Sequence, residues 1–234
     1  MYKDRTVGAI ILAAGQSSRM GEGINKVFRQ VLGKPVLAHS IDSFLGTGFV
    51  DEFVFVYSEE EKDLLEENAL EYLDSDPLNK DLSVKYVPGG EKRQDSSMSG
   101  VETAESDYVC IHDGARPNFS TDLVVRLLEA TDDEGAAFPG VKPVDTIRKN
   151  NDGYAGTTVD RNRLVKVQTP QCFERRTLLS AMGRAAEKGR YFTDDAGIVM
   201  EFGGVRPRIV EGERGNVKIT TARDAVLIEG LMKT

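Results

Sequence analysis

The sequence is poor in the residues that build redox and metal centres. It holds two cysteines, Cys110 and Cys172, and two histidines, His39 and His112. Two such cysteines make neither a disulfide framework nor a metal-ligand spacing, and two histidines exclude a multi-histidine metal site. No apolar run approaches the roughly 20 residues that a membrane span needs. The short run at 7–13 is of strand length and leads into a loop rather than a cleavage site, so a cytoplasmic protein is expected. A basic excess is missing as well. Lys and Arg number 30 against 38 Asp and Glu, a formal net charge of −8, the wrong sign for a general nucleic-acid binder. What stays open is a locally basic pocket for a small anion.

What is present is enough for a packed core: 234 residues, 40% of them hydrophobic, fit one α/β domain over 1–234. Strand-like and helix-like segments alternate. Residues 7–13 form an unbroken apolar run, as a strand buried on both faces does. Residues 35–45 have helical spacing with Pro35 in the first turn. Residues 53–57 are β-rich, and 59–73 read as an amphipathic helix with an acidic first turn. Its Leu64, Leu65, Leu70 and Leu73 are expected to face the core. Further strands are expected at 84–87, 108–111, 136–138, 164–168 and 208–210, and helices at 94–102, 123–131, 174–187, 194–202 and 222–231. This order predicts a Rossmann-like, three-layer α/β fold with a mostly parallel sheet. Ligands in such sheets bind outside the carboxyl ends of the strands, which directs attention to the loops after Ala13, Val87 and Ile111. Residues 140–163 break the rhythm with a polar, glycine-containing stretch. It is too long for an idle loop in a compact domain, and a projecting β-arm is expected there.

The first loop reads Leu12-Ala13-Ala14-Gly15-Gln16-Ser17-Ser18-Arg19-Met20-Gly21, with Lys26 beyond it. Small residues let a base or ribose approach the backbone, whose N–H groups can hold an anion. Arg19 and Lys26 add positive charge for phosphates. There is no Gly-Lys-Ser/Thr and the glycine spacing is not that of a dinucleotide fingerprint, so neither of those loops is present.

That loop resembles the signature of nucleotidyltransferases with a nucleotide-diphospho-sugar transferase fold. Later segments narrow the likeness: Gly89-Gly90-Glu91-Lys92-Arg93-Gln94-Asp95-Ser96, His112-Asp113-Gly114-Ala115-Arg116-Pro117, Val159-Asp160-Arg161-Asn162, Gln168-Thr169-Pro170-Gln171, Thr193-Asp194-Asp195-Ala196 and Asn216-Val217-Lys218-Ile219-Thr220. In that order they are similar to the 2-C-methyl-D-erythritol 4-phosphate cytidylyltransferase family. The chain differs from the family pattern at Asn25 and Val27, where Pro and Gln flank the lysine, at Glu91 (Asp) and at Gly114 (Ala). The resemblance implies attack of a polyol phosphate on the α-phosphorus of CTP, with pyrophosphate leaving. It implies catalytic roles for Arg19, Lys26, Arg161 and Lys218. Ala13, Ala14, Gly15, Gly90, Glu91, Ser96 and Gly114 would surround the nucleotide. Asp113, Arg116, Thr146, Arg161, Thr169 and Lys218 would hold the acceptor. It further implies Mg²⁺ bridging the CTP phosphates, which Asp113 could assist, and a homodimer that exchanges arms.

Other residues carry plainer readings. Arg93, Arg148 and Arg206 read as surface cations, Asp194 and Asp195 as caps of the following helix, and Cys110 as a small buried hydrophobe. Asp74-Ser75-Asp76 reads as a turn before Pro77 rather than a glycosyltransferase metal motif. His112 reads as packing or hydrogen bonding rather than a catalytic base. A ribitol 5-phosphate cytidylyltransferase shares most of these motifs, and a non-catalytic nucleotide-binding regulator would not need both loop cations and the late lysine.

Overall fold

The computed structural model describes residues 1–15, 25–73 and 81–233. Its first strand, β1 (Val7–Leu12), is buried almost throughout because it has a parallel partner on each edge. A short ribbon, β2 (Gln30–Val31) and β3 (Lys34–Pro35), leads into α1 (Val36–Leu45). Pro35 stands just before the helix as its N-cap rather than inside the first turn. Next come β4 (Glu52–Tyr57) and, after a 3-10 turn at Glu59–Glu61, α2 (Lys62–Leu73). Leu65, Ala69 and Leu73 form the buried stripe of α2, one helical turn apart. Leu64 falls beside that stripe and is 42% exposed, contrary to the sequence reading; the Leu70 side chain lies outside the described residues.

The chain continues through β5 (Ser83–Pro88), α3 (Arg93–Thr103), β6 (Tyr108–Asp113), α4 (Thr121–Glu134) and β7 (Ala136–Val141). Ser120 starts α4 by accepting from the Leu123 N–H, an N-cap bond worth about 1 kcal/mol. A hairpin follows, β8 (Ile147–Asn151) and β9 (Tyr154–Val159), then β10 (Lys166–Val167), β11 (Gln171–Glu174), α5 (Arg175–Glu187) and α6 (Asp195–Ile198). A π-turn at Val199–Gly203 prolongs α6, and β12 (Arg208–Glu211) and α7 (Ala222–Met232) close the chain.

Among the described residues the main sheet has eight strands. β5, β4, β1 and β6 are parallel neighbours. β11 lies antiparallel between β6 and β7, which also pairs with β12 in parallel and with β10 antiparallel. The region 164–168, read as one strand, is therefore shorter, and a second strand follows it. Pro170 cannot donate to a ladder, so the strand breaks there and resumes at Gln171.

Alternate residues of the central strands feed two cores. Val7, Ala9 and Ile11 join Phe53 and Phe55 under α1, α2 and α4. Ile10, Val54, Val56, Val109 and Ile111 pack against α3, α5 and α6. Period-2 strands with helices over both faces make a three-layer α/β domain, each buried Leu, Ile or Phe contributing about 1.5–3 kcal/mol. A third, smaller cluster docks α7 through Ala225 and Ile228 onto Val31, Val36, Ala115 and Ile219.

The β8–β9 hairpin forms its own two-stranded sheet, and Tyr154 near its tip is 80% exposed. Gly140 and Val141, read as the start of this arm, are the last residues of β7. No helix of the described residues is long and apolar enough to cross a membrane.

Candidate active site

The carboxyl ends of β1, β4, β5 and β6 are stitched together by the loops that leave them. The Ala13 N–H donates to Val56 O (2.8 Å), the Gly89 N–H to Tyr57 O (2.8 Å) and the Gly114 N–H to Leu12 O (3.0 Å). A side chain at Gly89 would meet the Ala14 methyl at 2.4 Å, and one at Gly90 would meet Asp95 Cβ at 2.3 Å. Only glycine permits this approach between the first loop and the start of α3. Ser96 then takes the Gly90 N–H on its hydroxyl at 3.1 Å.

These loops border a cleft of about 630 Å³. It brings together Ala13, Ala14, Gly15, Lys26, Gly90, Glu91, Ser96, Asp113 and Lys218, all singled out in the sequence. It also brings in residues given no role in the site by the sequence reading: Asn25, Arg93 and the run from Tyr57 to Glu60. Asn25 is buried and donates to Ala13 O and to Glu61 Oε2, both at 2.7 Å, which fixes the position of the neighbouring Lys26. Arg19 lies outside the described residues, as do Asp74, Ser75, Asp76 and Pro77. Gly114 is buried behind the cleft, against Leu12 O and Val27. Thr146 and Arg161 are exposed, and the Arg161 guanidinium donates to Val144 O in its own hairpin base. A second cavity of about 440 Å³ shares Lys218 with the cleft and adds four cations, Arg116, Lys142, Lys166 and Arg214.

Asp113 is the electrostatic centre. Its carboxylate meets Arg93 Nε at 3.0 Å, Lys218 Nζ at 2.9 Å and Arg116 Nε at 3.6 Å. Burial alone would raise its pKa, but Arg93, Lys218 and Arg116 outweigh burial and hold the carboxyl well below the usual range. Lys218 is placed by its neighbours: the Ile219 N–H donates to Ala115 O (2.9 Å), while Arg116 Nη1 donates to Asn216 O (3.0 Å). Asn216 Nδ2 donates in turn to Thr169 O at 2.8 Å. Thr169, buried, accepts the Asp113 N–H on its hydroxyl at 3.1 Å, and that hydroxyl lies 3.2 Å from His112 Nδ1. With that hydroxyl donating to Nδ1, the imidazole proton sits on Nε2, 3.0 Å from Arg116 O. Burial pushes the His112 pKa down to about 3. The ring is neutral and belongs to the scaffold.

Two sequence readings are corrected here. Arg93 is not a surface cation; it is tied to Asp113 and, through Nη1, to Asp195 Oδ2 at 2.9 Å. Asp195 does not cap α6; it is fully buried and also accepts from Ser97 Oγ at 2.7 Å. Asp194 alone caps, through the Gly197 N–H. One signal for Arg93 was available. A cation at the first position of a helix opposes the helix dipole, so a specific partner was to be sought. Arg148 and Arg206 are exposed, and Cys110 is buried.

A small-residue cleft at strand ends, with Lys26, Lys92, Arg93 and Lys218 in its walls, suits a nucleotide triphosphate and a second anion. A family model described as 2-C-methyl-D-erythritol 4-phosphate cytidylyltransferase matches residues 7–234. The chain belongs to this family. It is 39% identical over 226 residues to the 2-C-methyl-D-erythritol 4-phosphate cytidylyltransferase of Caldanaerobacter subterraneus subsp. tengcongensis, covering 95% of this chain and 97% of that one. Its fold matches the crystal structure of 4-diphosphocytidyl-2C-methyl-D-erythritol synthase from Anaerococcus prevotii, with a TM-score of 0.83, 26% identity and coverage of 98% and 99%. The Thermus thermophilus 2-C-methyl-D-erythritol 4-phosphate cytidylyltransferase structure gives 0.76 and 31%, over 96% and 98%. As a member of the cytidylyltransferase family the chain is a CTP-dependent nucleotidyltransferase of isoprenoid-precursor synthesis.

Proposed function

We propose that the chain joins the phosphate of 2-C-methyl-D-erythritol 4-phosphate to the CMP half of CTP in this cleft, releasing pyrophosphate. The observation that carries the reading is the convergence of Lys26, Lys218 and Asp113, from three distant parts of the chain, on one cleft walled by small residues. The cytidine lies against Ala13, Ala14, Gly15, Gly90, Glu91 and Ser96, with Gly114 behind them. A pocket of backbone and small side chains excludes purines by size and reads the cytosine amino group by hydrogen bonds. Arg19 and Lys26 stabilise the charge that grows on the α-phosphate and on the leaving pyrophosphate. The acceptor phosphate comes from the side of the second cavity to Lys218, and its polyol meets Asp113, Arg116 and Thr169.

The phosphate oxygen attacks phosphorus and the bond to the pyrophosphate oxygen breaks in line. A phosphate monoester, with a second pKa of about 6, is already ionised at neutral pH, so no general base is required. This agrees with a buried, neutral His112. Mg²⁺, held by the triphosphate with Asp113 as the carboxylate able to assist it, would neutralise part of the phosphate charge. The residues fit a metal held by the nucleotide: Asp113 is engaged by three cations, and no group of three or more His, Cys, Asp or Glu that could hold a metal occurs among the described residues.

Thr146 and Arg161 complete the acceptor site from a partner subunit in an arm-exchanged homodimer. Their exposure at the base of the hairpin, outside the described lining of their own cleft, supports this reading. A cytoplasmic location fits soluble substrates of this kind. The test is pyrophosphate release with CTP, UTP, ATP and GTP, crossed with 2-C-methyl-D-erythritol 4-phosphate and ribitol 5-phosphate. Release with CTP and the methylerythritol phosphate alone is expected; equal turnover of ribitol 5-phosphate overturns the acceptor assignment. Mixing Lys26→Ala with Arg161→Ala subunits should restore activity, and absence of rescue after subunit exchange rejects arm exchange.

A further inference from the structure

We infer that Arg93 is a positioning residue for the acceptor half of the site, a clasp that holds Asp113 and Asp195 in one fork. The inference rests on the proposed reaction for its kinetic readout. Arg93 presents Nε to Asp113 at 3.0 Å and Nη1 to Asp195 at 2.9 Å. The two carboxylates come from different elements, the end of β6 and the first turn of α6. Asp195 is fully buried and fixed from its other side by Ser97 on α3. The adjacent Gln94 repeats the connection: its Nε2 donates to Arg190 O at 3.1 Å, and its Oε1 accepts the Phe192 N–H at 2.8 Å. The first turn of α3 is thus bolted to the segment before α6 and to the tip of β6. Asp113 in turn pairs with Lys218, the cation common to both cavities. With Arg93 removed, the Asp113 carboxylate keeps only Lys218 and Arg116 as partners. It then turns toward them and draws Lys218 away from an incoming phosphate. A lysine at 93 keeps the charge but cannot offer two nitrogens in a rigid fork to two carboxylates.

Asp195→Asn is the decisive variant, because Asp195 lies outside the described lining of the cleft and its carboxylate touches a lining residue at Arg93. Steady-state kinetics on Asp195→Asn, Arg93→Lys and the double variant should show KM for the acceptor raised about tenfold, with KM for CTP changed less than about twofold. The double variant should lose no more than the worse single one, as members of one unit do. Unchanged kinetics per folded molecule, equal effects on both substrates, or additive losses overturn the clasp. Amide hydrogen exchange across 108–117 separates this outcome from failure of the reaction itself. Should the wild-type chain not turn over the acceptor, faster exchange at Asp113 in Asp195→Asn still upholds the clasp, and unaltered exchange rejects it.

Discussion

Two buried carboxylates stand at opposite ends of the same sheet. Glu52 opens β4 at the amino end, and Asp113 closes β6 at the carboxyl end. Both are held below the usual carboxylate range. For Glu52, as for Asp113, burial pulls the other way and is outweighed, here by Lys85 and by donors from Glu105 and Ser106. The difference lies in what surrounds them. Glu52 Oε2 accepts from the Glu105 N–H (2.9 Å), the Ser106 N–H (3.2 Å) and the Ser106 hydroxyl (2.8 Å), while its other oxygen meets one cation, Lys85, at 2.8 Å. Lys85 is shared with Glu105 at 3.1 Å. There two carboxylates share a single lysine. Around Asp113 there are three cations, and it borders an open cleft. A buried, perturbed carboxylate does not identify an active site; one that gathers three cations beside an opening does.

The largest expected effect separates the two ends by chemistry. Lys26→Ala or Lys218→Ala should lower turnover by roughly 10²–10³-fold, the range for losing one preorganised donor, while Glu52→Gln leaves pyrophosphate release per folded molecule unaltered. Comparable activity losses at both ends would break the contrast. Next in size, Glu52→Ala leaves two N–H groups and a hydroxyl without their acceptor and takes from Lys85 one of its two carboxylate partners. It should cost about 2–4 kcal/mol in urea unfolding, with the surviving folded fraction fully active.

His112 tests whether the neighbour of Asp113 belongs to the scaffold. Its folded pKa of about 3 lies below the unfolded value of about 6.5, so only the unfolded chain binds the proton as pH falls through that interval. Its contribution to stability is complete above pH 6.5 and is lost toward pH 3, at up to about 1.4 kcal/mol per pH unit. In His112→Gln the slope of unfolding free energy against pH between 6.5 and 4 should be shallower by roughly that amount; an unaltered slope would mean that the ring is protonated in place. The smallest effect compares two glycines. A methyl at Gly8 meets Ser106 Oγ at 3.1 Å and Glu52 Oε2 at 3.3 Å, whereas one at Gly114 meets Leu12 O at 3.1 Å and Val27 Cγ1 at 3.2 Å. Either alanine should cost about 1 kcal/mol by overpacking. Gly114→Ala should in addition raise KM for CTP a few-fold by shifting the first loop, and Gly8→Ala should not.

The three layers were legible because β1 and the middles of β4 and β6 are apolar runs buried on both faces, with polar residues only at the ends of the latter two. The loops of the cleft were legible from the rule that parallel sheets bind ligands at their carboxyl ends. β11 was not, since four residues after a proline carry no periodicity against which a strand could be recognised. Arg93 and Asp195 were misread because their meaning is pairwise. Their partnership spans 102 positions in the chain, and neither residue announces it locally. Leu64 illustrates a smaller failure, in which a leucine next to the true stripe looks like part of it until neighbouring elements fix the helix rotation.

The break between β10 and β11 has a mechanical consequence. β10 ends at Val167 and the hydroxyl that receives the Asp113 N–H belongs to Thr169, so a single residue, Gln168, separates the root of the hairpin from the reaction centre. Gln168 has no slack of its own: its amide donates to Glu213 O at 2.7 Å and Asn216 O at 3.0 Å. A tug on the hairpin is therefore delivered, almost undamped, to the carboxylate around which the cations are arranged.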